Sequence, residues 1–393
     1  MKTLFQNKKG AIIIEGHIQG LSNTRSLGEV GIPVYVVDKN NCIAQYSKYC
    51  KKFFKCPDYK SEDFINFLIE IAKSEKLEGW ALIPSNDHAV YNISKNKHIL
   101  QKFYSVITPD IDIINNIYDK RNLLKIAKDL NIPIPKTIFL SSADEVNSNS
   151  ELDFPLITKG RFGLSFYKTM GKKVFLSKNI NEFKEHLKII ESKYNISETF
   201  TQELIPYYGN NKTVSFTAFC IEGDVKTYWI GEKIREHPIQ FGTATSARSI
   251  IEKELLEQSK ILLKNLNYTG VCEIEYIYDP RIEKHLLIEI NARTWLWVEL
   301  AKKCGINYAL YIYNYLNGLS IDFPKHYSED VYWVNLFTDI PYSLIALIRN
   351  QLNIKEFIQS YKGRVIFATF NSKDLMPSFM FFILLPYIFI KRT

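Results

Sequence analysis

The run HLLIEINARTWLW, His285 to Trp297, constrains this chain more than any other stretch. It begins as an apolar strand and then sets an acid, an amide and a base at every second position. Strand side chains alternate between faces, so Glu289, Asn291 and Arg293 are expected on one face and Ile288, Ile290 and Ala292 on the other. Just upstream, VCEIEYIYD puts Glu273 and Glu275 on one face of a second strand, and a short turn at Asp279-Pro280 would pair the two. Carboxylates held side by side repel each other unless a cation lies between them. Such oxygen-rich surroundings suit Mg²⁺, which takes a carboxylate or two together with substrate phosphates and water. Asn291 adds a neutral carbonyl oxygen, and Arg293 a planar fork matched to phosphate oxygens. The competing reading is a solvated sheet face on which Arg293 merely pairs with Glu289, and exposed pairs of that kind are common and weak.

Two lysines shift the balance. Lys120 and Arg121 fall in the first turn of a helix, where the dipole disfavours cations unless an anion is near. Lys159 ends the strand PLITK and is followed by Gly160 and Gly163, where backbone can approach a phosphate closely. Either lysine alone reads as a surface charge. Together, ahead of a carboxylate cluster, they read as two halves of a nucleotide clamp.

Around these motifs the pattern changes along the chain. AIII and IPVYVVD read as strands flanking a helix from Ser22 to Val30, and DFINFLIEIAKSE, WALIPSND and YSVITPD continue an open parallel sheet with flanking helices. NNIYDKRNLLKIAKDLN reads as one helix ended by Pro133, and SSADEVNSNSELD as a surface loop. From Phe154 onward, strands joined by hairpin-like turns around Gly223 and Asp279-Pro280 indicate an antiparallel α+β unit. Boundaries fall near Ile114 and Ser320. With 46% hydrophobic and 23% charged residues over 393, the chain is an ordinary globular protein of two or three domains. The net charge of +8 is dispersed, which favours small anions over nucleic acid. Six cysteines without a C-x-x-C pair point to free thiols in a reducing cytoplasm, with no metal role for Cys42, Cys50 and Cys56. No signal peptide is expected, the apolar run at Ala11–Ile14 being too short. The stretch MPSFMFFILLPYIFI, Met376 to Ile390, lacks charge and precedes Lys391 and Arg392. Broken by Pro377 and Pro386, it is too short to span a bilayer, and two readings stand: a tail packed on the body, or a peripheral contact with the inner membrane face.

In this order the motifs GLSNTRSLGEVGIPVYVVD, DKRNLLKIAKDLNIPIPKT, FPLITKG, FTQELIP, GEKIREHPIQFGTAT, GVCEIEYIYD and LLIEINAR resemble the ATP-grasp superfamily, and within it the carboxylate-amine ligases related to D-aspartate and D-alanine:D-alanine ligases. The likeness runs from about Ala11 to Ser320. It implies α/β plus α+β architecture: a Rossmann-like pre-ATP-grasp domain (1–115), a first ATP-grasp lobe (116–200), a second lobe with the metal site (201–320), and a C-terminal extension with a hydrophobic tail (321–393). It implies ATP and Mg²⁺ as cofactors, and a small carboxylate and an amine as substrates. Lys120 and Lys159 correspond to phosphate-binding lysines, and Gln202, Glu203, Leu204 and Ile205 to the adenine hinge, with Glu203 the foremost side chain. Glu275, Glu289 and Asn291 correspond to the magnesium ligands and Arg293 to the arginine beside the transferred phosphate. Lys233 and Arg235 resemble a basic pair facing phosphate or substrate, against the alternative of pairing with Glu232 or Glu236. The chain departs from the pattern where Gly160 replaces a proline, where Tyr207 and Tyr208 replace a glycine, and in a glycine-poor phosphate loop offering Lys168, Lys172 and Lys173.

The implied reaction is amide formation through an acyl phosphate with release of ADP and phosphate. Two other classes remain: a nucleotide-binding protein without turnover, and a nicotinamide oxidoreductase suggested by Gly16, Gly20 and Asp38, whose spacing is not G-x-G-x-x-G. Arg25, with Ser22 and Asn23, and Asp87 are candidates for touching a substrate, and His237 for a base. Neither the substrates nor the oligomeric state can be read from the sequence.

Overall fold

The computed structural model describes residues 9–148, 153–161, 163–172, 174–206, 213–237, 242–361 and 363–392. Short apolar runs alternating with amphipathic stretches fold first into β1 (Ala11–Ile14), α1 (Ile18–Gly28), β2 (Val34–Asp38), β3 (Cys50–Lys55), α2 (Glu62–Ser74), β4 (Trp80–Pro84), α3 (Asp87–Lys95), α4 (Lys97–Leu100) and β5 (Tyr104–Val106). The five strands are all parallel, in the order β3-β2-β1-β4-β5. β1 and β4 are apolar on both faces because helices cover both sides of the sheet. The strand order reverses between β1 and β4, and the loops after these strands part there. Gly20 is required beside that point, since a Cβ would lie 2.0 Å from the Glu15 carbonyl oxygen. Glu15 itself adopts φ +70°, a strained conformation for a non-glycine residue.

The next stretch forms α5 (Ile111–Tyr118), α6 (Lys120–Asp129), β6 (Thr137–Ile138), β7 (Leu156–Gly160), α7 (Gly163–Met170), β8 (Phe175–Ser177), α8 (Ile180–Glu191) and β9 (Thr199–Glu203). Its antiparallel sheet runs β6-β9-β7-β8 over a core of Phe166, Phe175, Phe183, Leu187 and Ile190. The single helix expected across this region is two: Asp119 breaks it by capping α6, its carboxylate accepting the Arg121 amide. The expected glycine-poor phosphate loop contains a helix, α7. Gly160 is fixed by this helix, because Phe166 packs where its Cβ would stand.

The remainder comprises β10 (Thr213–Ile221), β11 (Asp224–His237), β12 (Thr243–Ser249), α9 (Lys253–Asn265), β13 (Gly270–Asp279), β14 (Lys284–Asn291), α10 (Val298–Lys303), α11 (Tyr308–Leu316), β15 (Val331–Val334), α12 (Leu336–Ile348), α13 (Ile354–Gln359), β16 (Arg364–Phe367) and α14 (Met376–Arg392). A seven-stranded sheet runs β14-β13-β10-β11-β12-β15-β16. The C-terminal extension is thus no appendage: β15 pairs antiparallel with β12, and β16 lies parallel to β15. Trp295 and Trp297, which end the opening motif, bury their rings 5.8 Å and 5.3 Å from Trp229.

The chain divides into two compact units, which differ from the four consecutive segments expected. The first holds residues 1–111, 215–273 and 291–393; the second holds 112–214 and 274–290, the distal part of β13 and β14.

Candidate functional site

In the second unit, residues distant in sequence converge on Glu289. Lys120, in the first turn of α6, extends its ammonium to within 2.5 Å of the Glu289 carboxylate. The dipole conflict anticipated for cations at this helix start is answered by two anions, Asp119 at the cap and Glu289 opposite. Asp119 also receives Arg161 in a two-pronged ion pair, tying the end of β7 to the start of α6. Lys159, on β7, lies close enough to Lys120 and Glu289 to respond to both. Burial, and then the charge of Lys120, push its ammonium down to about 8, with Glu289 opposing.

The residues expected at the adenine hinge sit at the end of β9 and just beyond it. Gln202 donates to the Thr137 hydroxyl at 2.9 Å, the Leu204 amide donates to the Pro155 carbonyl at 2.9 Å, and Ile205 is buried. Glu203 is committed elsewhere than expected: its carboxylate accepts the Lys136 amide at 3.3 Å and the Arg281 guanidinium at 3.2 Å. Arg281 also grips buried Asp279, and these bonds raise its already high pKa further. Arg281 and Lys136 were not foreseen; only the Asp-Pro-Arg turn hinted at the former. Of the lysines offered for the phosphate loop, Lys168 lies in the last turn of α7, Lys172 lies 5.3 Å above the Phe175 ring, and Lys173 falls outside the described residues, as do Tyr207 and Tyr208. Glu275 stands on β13, half-buried.

In the first unit, Asn291 ends β14 and donates its amide to buried Glu273 at 3.1 Å, while Ser215 donates to the other Glu273 oxygen at 2.9 Å. Glu273 thereby orients Asn291, a role its position two residues before Glu275 could have suggested. The strand stops at Asn291, so Arg293 does not share its face as the alternation implied; it lies in the bend that the buried tryptophans anchor. Its fork closes on Asp87 through two bonds of 2.8 Å, joining two residues singled out separately in the sequence. Beside Asp87, Asn86 caps α3 and reaches Glu15 at 3.3 Å, and Gln19 reaches the other Glu15 oxygen at 3.0 Å.

Several other candidates point inward. Ser22 donates to Glu299 at 2.7 Å, Asn23 to Ser85 and Thr294, and buried Arg25 to Asp374 at 2.8 Å, so none of the three is placed to meet a substrate. Asp38 accepts the amides of Gly16 and Asn40, both at 2.9 Å, which replaces the ribose contact a dinucleotide site would need. A bulge in β11 after Lys233 re-aims the basic pair. Arg235 turns onto Asp339 (2.8 and 2.7 Å) and Ser360, between the rings of Phe357 and Tyr361. These bonds engage the guanidinium for which a role toward phosphate or substrate was expected. Lys233 lies 4.0 Å from Glu236, and Glu232 binds Arg248. His237 stacks on Tyr342 with ring centroids 3.4 Å apart, and burial lowers its pKa. Pro238 is outside the described residues. Among the described residues no three His, Cys, Asp or Glu side chains gather to hold a metal, and the cysteines are free thiols.

A family model described as the carbamoyl-phosphate synthase L chain ATP-binding domain matches residues 230–308, the segment containing Glu273, Glu275, Glu289, Asn291 and Arg293. Biotin carboxylase from Campylobacter jejuni superposes with a TM-score of 0.66 over 83% of this chain and 74% of its own, at 16% identity. The chain has the ATP-grasp fold. Among ATP-grasp structures, N5-carboxyaminoimidazole synthetase from Staphylococcus aureus complexed with ADP matches with a TM-score of 0.63, 18% identity, and coverage of 83% and 81%. By sequence the chain is 24% identical over 266 residues to D-aspartate ligase of Enterococcus faecium, covering 64% of this chain and 63% of that one. It is 22% identical over 269 residues to N5-carboxyaminoimidazole ribonucleotide synthase of Staphylococcus epidermidis, covering 68% and 65%. Each alignment spans just under two thirds of the relative's own length.

Proposed function

We propose that this chain is an ATP-dependent ligase that joins a carboxylate to an amine through an acyl phosphate. The observation that carries the reading is the convergence of Lys120 and Lys159 on Glu289, two cations and an acid from three separate elements. The relatives by sequence include a D-aspartate ligase, and a structural relative holds ADP, which supports the same reaction class.

The residues fit a divalent ion. Glu275 and Glu289, each two residues along the β13–β14 hairpin from the bonded pair Glu273 and Asn291, would supply two carboxylates, and Asn291, whose nitrogen donates to Glu273, would add its carbonyl oxygen. Glu275, Glu289 and Asn291 would hold Mg²⁺, which when bound supplies Lewis-acid stabilisation of phosphate charge. Lys120, released from Glu289, and Lys159 offset charge on the triphosphate. The hinge at Gln202–Ile205 seats the base mainly through backbone and the apolar Ile205, since the Glu203 carboxylate is engaged. A substrate carboxylate oxygen attacks the γ-phosphorus, the bond to the β-phosphate oxygen breaks, and ADP departs. The amine then adds to the acyl carbon, loses a proton, and expels phosphate. Arg293, held in plane by Asp87, stabilises the transferring phosphoryl and the tetrahedral oxygen. Asp87 and Glu15, at the parting of the loops after β4 and β1, would help select the substrates, and the five-stranded sheet would act as the pre-ATP-grasp domain.

The test is substrate-dependent ADP release across amino acids, sugar acids and cell-envelope precursors. Glu289→Gln should abolish release while the fold, read by circular dichroism, stays intact. Near-normal turnover in that variant would refute the assignment, and nucleotide binding without release under any substrate would favour a non-catalytic protein.

A further inference from the structure

The C-terminal extension concentrates apolar surface. Of the twenty-four exposed large hydrophobic side chains among the described residues, twelve lie between Ile340 and Ile383. On α12, Ile340, Leu344 and Ile348 recur every four residues and line one outward stripe, with Ile348 82% exposed. On α14, Met376, Phe379, Phe382 and Ile383 line another, Phe379 and Phe382 being 61% and 65% exposed. The opposite face of α14 already has its partner, since Phe381 and Leu384 are buried in the core of the first unit. The outward stripe is therefore surplus to what docking the tail requires. Between the two helices, Leu336, Phe337, Phe367, Ala368, Phe370 and Ser378 line an open apolar cleft of about 270 Å³.

Charge identifies the occupant. Among the described side chains of residues 331–393, Arg349, Lys355, Arg364 and Lys373 are exposed, in a stretch whose sequence carries seven Lys and Arg against only Asp339, Glu356 and Asp374. Asp339 and Asp374 are buried in ion pairs with Arg235 and Arg25, so they offer nothing to the surface. A second copy meeting this face about a two-fold axis would bring the same bases together. Anionic lipid headgroups would instead attract them while the apolar stripes enter the acyl boundary. No helix among the described residues is long and apolar enough to cross a membrane, which leaves an orientation lying in its surface. We propose that the outward face of α12 and α14 docks on an anionic lipid bilayer. The proposal is independent of the ligase reading and requires no nucleotide.

Flotation of the full chain with liposomes tests it. Binding is expected to vesicles of three parts phosphatidylcholine to one part phosphatidylglycerol, weakening in high salt and on phosphatidylcholine alone. The double variant Ile348→Gln/Phe382→Gln should reduce binding about tenfold or more with an unchanged thermal midpoint and unchanged nucleotide binding. Absence of flotation with the mixed vesicles, or equal flotation of the double variant, would overturn the proposal. So would an outcome in which the wild type is a dimer that the substitutions convert to a monomer while neither form binds lipid.

Discussion

At the scale of single residues, the engagements of charged groups separate function from framework. Lys159 is the informative case, because an ammonium pushed down to about 8 by burial and by Lys120 begins to lose its proton in the mildly alkaline range. A bound triphosphate favours the charged form and raises that value, so binding above pH 8 must be accompanied by proton uptake. Affinity is therefore fullest below about 8 and declines as pH rises past it. The KM for ATP is expected to climb between pH 8 and 9.5 in the wild type, and a Lys159→Met variant should show a weak but flat profile over that range. A second expectation concerns Arg293: Asp87→Asn leaves the guanidinium in place with a weaker anchor, and should lower kcat about tenfold or more with less change in the KM for ATP. Equal losses from substituting nearby exposed residues would deny Asp87 this role.

At the scale of elements, most strands and helices were legible and their terminations less so. Period-two alternation located β13 and β14, and the apolar faces of α2, α6 and α8 followed the helical repeat. Alternation is a property of continuing strand, however, and could not reveal that β14 ends at Asn291 and frees Arg293 to turn toward Asp87. The irregularity in β11 worked against the reading of Arg235 for the same reason: the pairing register shifts on either side of Arg235, and Ile234, the one residue between it and Lys233, does not announce it. The partner, Asp339, lies 104 residues away, beyond the reach of any local pattern. That carboxylate also accepts Thr245 at 2.7 Å and Tyr361 at 2.6 Å, and its charge adds to burial in raising the Tyr361 pKa. Asp339→Ala would leave a buried guanidinium uncompensated and is expected to destabilise the chain by about 3–5 kcal/mol. Urea unfolding followed by tryptophan fluorescence should show it, because Trp229, Trp295, Trp297 and Trp333 are all buried in the same unit.

At the scale of the whole molecule, motif order carried the architecture further than any composition could. The two lysines, the segment read as a hinge and the acid-amide strand could be singled out in sequence because the resembled motifs call for a given residue type at a given place. The C-terminal extension has no such motif, and its incorporation into the seven-stranded sheet depends on backbone pairing of β15 with β12, which any apolar strand could offer. Mg²⁺ with a non-hydrolysable ATP analogue should raise the thermal midpoint, by about 2.7 kcal/mol of stabilisation at one hundred times Kd, whereas NAD should leave it unmoved given how Asp38 is engaged. The bond from Arg25 to Asp374 has a wider consequence. Asp374 also receives the Ser47 hydroxyl at 2.7 Å and the Lys48 amide at 2.9 Å, so an anion near the last helix works as a clasp on the first one. Amputating the tail would strand a guanidinium inside the flank of the parallel sheet, and a shortened chain would report on a loosened beginning as much as on a missing end.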